Sequence, residues 1–263
     1  MIRSDFYRIL HRKRLWLIPI ATFFLIYLFQ EPVPGKIDAN TVGYPISSAY
    51  VAWSPMHLSQ GSHIYNITVF FLLALPTCDL FVEDKQTGLL NQYLIKSSKK
   101  RLFFSHLLWA FLFGGAVAVL PLILNVFVTF ARVPALPYSD VNIMPVLSDS
   151  MIGLDLFYNH FPVYLCVIFA RQFIYAGSVA LFSVVVCNLS HNKYLGLFFP
   201  FFFFFWICDF LSFLLPLPLD LTSSALPTCN LSYYNLPTLL LFGLTMLFTI
   251  VSILRQVNQR DAL

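Results

Sequence analysis

Apolar residues in this chain neither alternate nor recur as a stripe. They run on for 16 to 30 positions at a time and stop at short polar segments. Six such runs occupy residues 15–30, 64–81, 102–131, 161–187, 194–215 and 237–254. A helix rises about 1.5 Å per residue, so roughly 20 apolar residues cross the hydrocarbon core of a bilayer. Each run therefore predicts a transmembrane helix, and the fold class expected is an all-α integral membrane protein with six transmembrane helices in a single domain over residues 1–263. The first run is short, which predicts that Arg12, Lys13 and Arg14 snorkel to the interface. The third, at about 45 Å if helical throughout, predicts tilt, a cytoplasmic extension, or a break near Gly114-Gly115 or Pro121.

The polar segments set the orientation. Arg3, Arg8, Arg12, Lys13, Arg14, Lys85, Lys96, Lys99, Lys100, Arg101, Lys193, Arg255 and Arg260 fall on one side of the six-span layout, and only Lys36 and Arg132 on the other. Thirteen bases against two is a positive-inside signature that predicts cytoplasmic N- and C-termini. The other connections, 31–63, 132–160 and 216–236, lean acidic through Glu31, Asp38, Asp140, Asp149, Asp155 and Asp220.

Composition sharpens the same picture. Hydrophobic residues make up 59% of the 263 positions and charged ones 11%, well below the quarter usual in soluble domains. The formal charge of +4 comes from clusters flanking apolar runs, so no nucleic-acid partner is implied. Five cysteines show no CxxC spacing, and the N-terminal run lacks a small-x-small cleavage site, so it reads as a retained span. Six scattered histidines (His11, His57, His63, His106, His160 and His191) show no ligand spacing, and none is assigned to a metal. The phosphate-cradling GxxxxGK[ST] pattern is missing, so the chain itself is not expected to be an enzyme or to bind a cofactor.

Two segments outside the spans have helical patterning. At the N-terminus, Ile2, Phe6, Ile9, Leu10 and Lys13 follow helical spacing, with Arg3, Arg8, Arg12 and Arg14 around the polar side. This predicts either an amphipathic helix on the inner leaflet or a basic flank that only fixes topology. Residues 83–101 start with acids, end with bases, and carry Leu89, Leu90, Tyr93 and Leu94 as one helical face. That order suits a short helix whose ends are complemented by charge. Gly88 allows a turn before it, and Ser97-Ser98 can cap the third span. Its apolar face needs cover, from the lipid interface or from a partner protein.

The pattern Glu83-x-x-x-x-Gly88-x-Leu90, followed by Ser97-x-Lys99-x-Arg101 and a long third span, resembles the first cytoplasmic loop of ABC exporter permeases of the type-2 family. The opening Asp5-Phe6-Tyr7-Arg8 to Arg14-Leu15-Trp16 is similar to theirs. The resemblance implies that 83–101 holds a coupling helix seated in a separate ATPase subunit, which would bind ATP and Mg. Glu83 and Gly88 would shape its approach, Leu89, Leu90, Tyr93 and Leu94 its contact face, and Lys99 to Arg101 its return to the membrane. It also implies a second permease chain, identical or paralogous, and location in the plasma membrane, taken as bacterial. The 216–236 connection lacks the re-entrant helix pair of larger members, so no lipid or sterol substrate carries over.

Within the spans, Arg171 and Asp209 stand at matching depth on adjacent helices, which predicts an ion pair. It would serve either as a staple between helices or as part of a translocation path. Thr245, Thr249 and Ser252 share a face of the sixth span and either line a pathway or pack helices together. The function expected is the permease subunit of an ATP-driven exporter. The alternatives are a secondary transporter and a non-transporting assembly or immunity subunit.

Overall fold

The computed structural model describes residues 2–18, 20–22, 24, 49, 68–96, 99–132, 135, 154–203, 243, 246–253 and 255. Among them every regular element is helical, and two helices are long and apolar enough to span a membrane. The labelled helices are α1 (Ile2–Leu10), α2 (Leu80–Gln86), α3 (Leu89–Lys96), α4 (Lys99–Arg132), α5 (Leu154–Asn159), α6 (Phe161–Ser190) and α7 (Lys193–Phe201). Most of the fifth span and the start of the sixth, with Asp209 and Thr245, lie outside the described residues.

The frame is the antiparallel pair α4 and α6. The 34 residues of α4 form one uninterrupted helix of about 51 Å, so neither Gly114-Gly115 nor Pro121 breaks it. The two glycines serve contact instead. A Cβ at Gly114 would lie 2.4 Å from the Ala180 Cβ, and one at Gly177 would lie 2.6 Å from the Phe111 ring. Small residues let the two backbones approach closely, which is how helices pair where burial from water supplies no drive between them. Around that contact Val117, Ala118, Leu122, Tyr175, Ala176, Val179 and Phe182 form a buried core with Val69, Phe70 and Leu73.

At one end of the pair α5, which falls within the expected 132–160 connection, sets Phe157 edge-on to Phe161 and Tyr164, while Phe130 of α4 meets Phe161. Pro162 starts α6, where its missing N–H costs nothing. At the opposite end α6 stops at His191, in the left-handed conformation, and Asn192 caps α7 by accepting from the Tyr194 amide at 3.0 Å. The turn between the two helices is thus two residues, shorter than the six expected. Helix α7 returns along α6, with the Ser183 hydroxyl donating to the Gly196 carbonyl at 2.6 Å. In the phenylalanine run Phe199, Phe201 and Phe203 pack inward and Phe198 and Phe202 remain exposed.

The second span differs most from expectation. Residues 68–74 are helical, 75–79 form a turn, and the helix resumes as α2. Pro76 lies in that turn. Proline lacks a donor and its ring clashes with the carbonyl four residues back, so a helix cannot continue through it unstrained. An apolar run measures length and hydropathy and does not register this interruption.

If glycine at the crossing is what permits the α4–α6 approach, Gly114→Leu lowers stability by about 1 to 3 kcal/mol through overpacking. Gly88→Ala, where a Cβ meets nothing within 4 Å, costs only its backbone conformation, about 1 to 2 kcal/mol. Thermal unfolding of the purified variants in detergent measures both.

Candidate functional site

Charged side chains converge where α1, α2 and the start of α4 meet. Asp79 ends the turn after Pro76, and Glu83 and Asp84 lie four and five residues further along α2, so all three fall toward one side. Opposite them, Arg8 and Arg12 stand four residues apart, on α1 and on the segment that follows it. Arg8 forms an ion pair with Asp84 through Nη2 and Oδ1. The Arg12 guanidinium is shared: Nη1 donates to Asp79 Oδ1 at 2.6 Å and to the Pro76 carbonyl at 3.4 Å, and Nη2 donates to Glu83.

Asp5 joins this cluster to α4. Its Oδ2 accepts from the Ser105 hydroxyl at 2.5 Å, and its Oδ1 lies 3.8 Å from His106 Nε2. His106 Nε2 is also 3.4 Å from Asp84 Oδ2, so one imidazole stands between a carboxylate of α1 and one of α2. These are ion-pair separations, and among the described residues Asp5 Oδ1, Asp84 Oδ2 and both ring nitrogens accept or donate no hydrogen bond. Asp5 and Asp84 are fully buried, and Asp79 and His106 nearly so. Aromatic contacts close the cluster from above, with Phe6 on Trp109 at 4.8 Å and Phe81 edge-on to His106 at 6.3 Å.

Burial alone would push the Asp5 carboxyl up. It is outweighed by His106, the Ser105 hydroxyl and Arg8, and the net result lies below the ordinary 3.8. Hydrogen bonding to Asp84 holds Arg8 above its ordinary value against its own burial, with further attraction from Asp84 and a smaller contribution from Tyr93.

The structure thus gives several predicted residues a different setting. Helix α1 exists, but Asp5, Ile9 and Arg12 face protein, and Tyr7 and Leu10 face outward. Arg8 of α1 and Arg12 just after it are bound to α2 and to the turn before it rather than spread over a solvated polar side. Glu83 is tied to Arg12, and Tyr93 is half-buried toward Arg8. Gly88 adopts φ +74°, the left-handed conformation that separates α2 from α3. Leu89 is half-buried, whereas Ile95, outside the predicted face, is 87% exposed. Only the helical course is described for Leu90 and Leu94. Arg171 is partly buried in α6, and its predicted partner Asp209 lies outside the described residues. Thr249 and Ser252 are buried, and the Thr249 hydroxyl donates to the Met246 carbonyl three residues back at 2.7 Å. Thr245 lies outside the described residues.

Asp5, Asp79, Asp84, Ser105 and His106 are the residues sequence reasoning passed over as members of a site. The available signal was the 79, 83, 84 spacing of acids against the 8, 12 spacing of arginines, a pattern visible only once both segments are placed at one end.

Removing one partner of a buried pair leaves the other charge uncompensated. Asp84→Asn is therefore expected to lower stability by about 3 to 5 kcal/mol, whereas Glu83→Gln, at a half-exposed carboxylate, costs under about 1 kcal/mol. For Asp5 the folded value is the lower one, so its contribution is complete above 3.8 and lost as pH falls through the depressed value. Thermal unfolding of wild type and Asp5→Asn across pH 7 to 3 should show their difference shrinking below about pH 4.

Comparison with known proteins adds no relative: the chain matches no family model, no curated protein and no solved structure.

Proposed function

We propose that this chain is the membrane-spanning permease subunit of an ATP-driven exporter of the type-2 ABC family, working with a separate ATPase and a second permease chain in a plasma membrane. The observation that carries the reading is α3. It is a separate short helix, set off by the Gly88 turn from the charged end of the bundle, and it presents a nearly fully exposed isoleucine, Ile95. A large apolar side chain at that exposure on a short helix is the kind of anchor a partner groove accepts.

In this reading the six spans are oriented by the positive-inside rule, with α1, α3 and both termini cytoplasmic. Helix α3 is the coupling helix. ATP and Mg reside in the partner, whose closure pushes α3 and, through α2, the foot of the second span. Glu83 then acts within the chain, tying the coupling segment to Arg12. The transported substrate would be a peptide, a drug or a lipid-linked compound, each of which suits a pathway lined by aromatics and hydroxyls. Arg171 with Asp209, and Thr245 with Thr249 and Ser252, are the polar groups available along the spans.

A secondary transporter is the second reading, and one observation favours it. Asp5, Asp79 and Asp84 are buried carboxylates of the kind ion coupling uses. Against it, Asp79 and Asp84 are paired with arginines and all three sit at the end of the bundle, away from mid-depth.

The two readings separate on one purification. Protein isolated from its native host is expected to bring down an ATPase. Ile95→Asp, on the outside of α3, should leave yield and thermal stability unchanged and reduce the recovered ATP hydrolysis at least about tenfold. Recovery unaffected by that substitution, or transport in proteoliposomes driven by an ion gradient without ATP, would overturn the exporter reading.

A further inference from the structure

The contacts made by Arg12 span a discontinuity in the chain. Between helix 68–74 and α2 the Cys78 amide donates to the Ala74 carbonyl at 3.0 Å and the Glu83 amide to the Asp79 carbonyl at 2.8 Å, with longer contacts from Thr77 to Ala74 at 3.4 Å and Leu80 to Thr77 at 3.3 Å. A proline-containing turn that interrupts two regular helices is where bending costs least. Arg12 is set across it. One guanidinium reaches the Pro76 carbonyl inside the turn, Asp79 at its end and Glu83 one turn into α2. Its planar fork holds several acceptors at fixed angles, which an ammonium group cannot do.

Arg12 also has something firm to pull against. The preceding α1 is fastened to the long α4 through Asp5 with Ser105 and through Phe6 with Trp109. The strut therefore runs from the frame of the bundle to the joint.

We propose that residues 75–79 are a hinge on which the α2–α3 segment swings, and that Arg12 is the latch that holds it in the position described above. The latch has a graded release. Glu83 is 46% exposed and its tie to Arg12 is open to salt and water, whereas Asp79 is 5% exposed and its tie is shielded. Swinging α2 away breaks the outer tie first, must then part Asp84 from Arg8, and leaves the Arg12–Asp79 tie as the pivot. The proposal goes beyond the exporter reading: it concerns motion within this chain, and its test uses neither ATP nor a partner.

Amide hydrogen exchange of the full chain in lipid nanodiscs, followed by mass spectrometry, tests it. In Arg12→Gln, exchange across 75–86 is expected to rise at least about tenfold while the α6 amides keep their wild-type rates. Arg12→Lys should fall between the two, because one ammonium cannot fork to both carboxylates. Glu83→Gln should produce a smaller rise, matched by wild type in high salt. Pro76→Ala restores a donor and removes the ring, and is expected to slow exchange in 75–79. That variant keeps the hinge testable should Arg12→Gln fail to fold. Unchanged exchange across 75–86 in Arg12→Gln, or an equal rise throughout α4 and α6, would overturn the latch. Faster exchange in Pro76→Ala would overturn the hinge.

Discussion

Carboxylates that leave water must meet a cation or a donor, and at one end of this bundle that requirement decides the arrangement of the chain. Asp5, Asp79 and Asp84 are each almost fully enclosed, and an unpaired ion in such a place costs several kcal/mol. Arg8 and Arg12 answer Asp84 and Asp79, and Ser105 answers Asp5. Since those partners come from three separate elements, satisfying the carboxylates is what brings α1 back against the foot of the second span and the start of α4. The apolar contribution of α1 is narrower, resting on Ile9 and on the Phe6 ring.

The other contact on which the fold rests is of a different kind. Helices α4 and α6 approach through glycine and alanine, with no charge involved, and the packing leaves no room even for a methyl group at Gly114. Dispersion forces in such a contact fall off within an ångström, so it is stiff and indifferent to salt and pH. The charged cluster is directional, partly open to water and able to exchange partners. The permease proposed above would need both properties: a frame that keeps its shape, and an attachment that can yield where force arrives.

The parts legible in the sequence are those that depend on length and composition. The apolar runs 102–131 and 161–187 correspond to α4 and α6 within three residues at each end, because a long apolar helix needs no partner to be recognised. Charge order around Leu89 to Leu94 likewise pointed to α3. The break at Pro76 was not legible, since hydropathy does not record which amide lacks a hydrogen. Asp79 was hidden for the same reason, counted inside an apolar run that the structure divides. Glu83 and Tyr93 are expected to serve the coupling segment, and within this chain Glu83 also meets Arg12 and Tyr93 lies toward Arg8. Spacing along the chain places residues on a face and leaves open which element covers that face. Asp5 and Ser105, a hundred positions apart, can only be matched in space.

That separation has a consequence for biosynthesis. Helix α1 cannot complete its contacts until Ser105 and His106 have followed it from the ribosome. At 5 to 20 residues per second the wait is about 5 to 20 seconds. During that interval Asp5, Arg8 and Arg12 must find their partners in water, which keeps α1 undocked while residues 68–96 are made. The docking of α1 is therefore a late event that marks the arrival of α4.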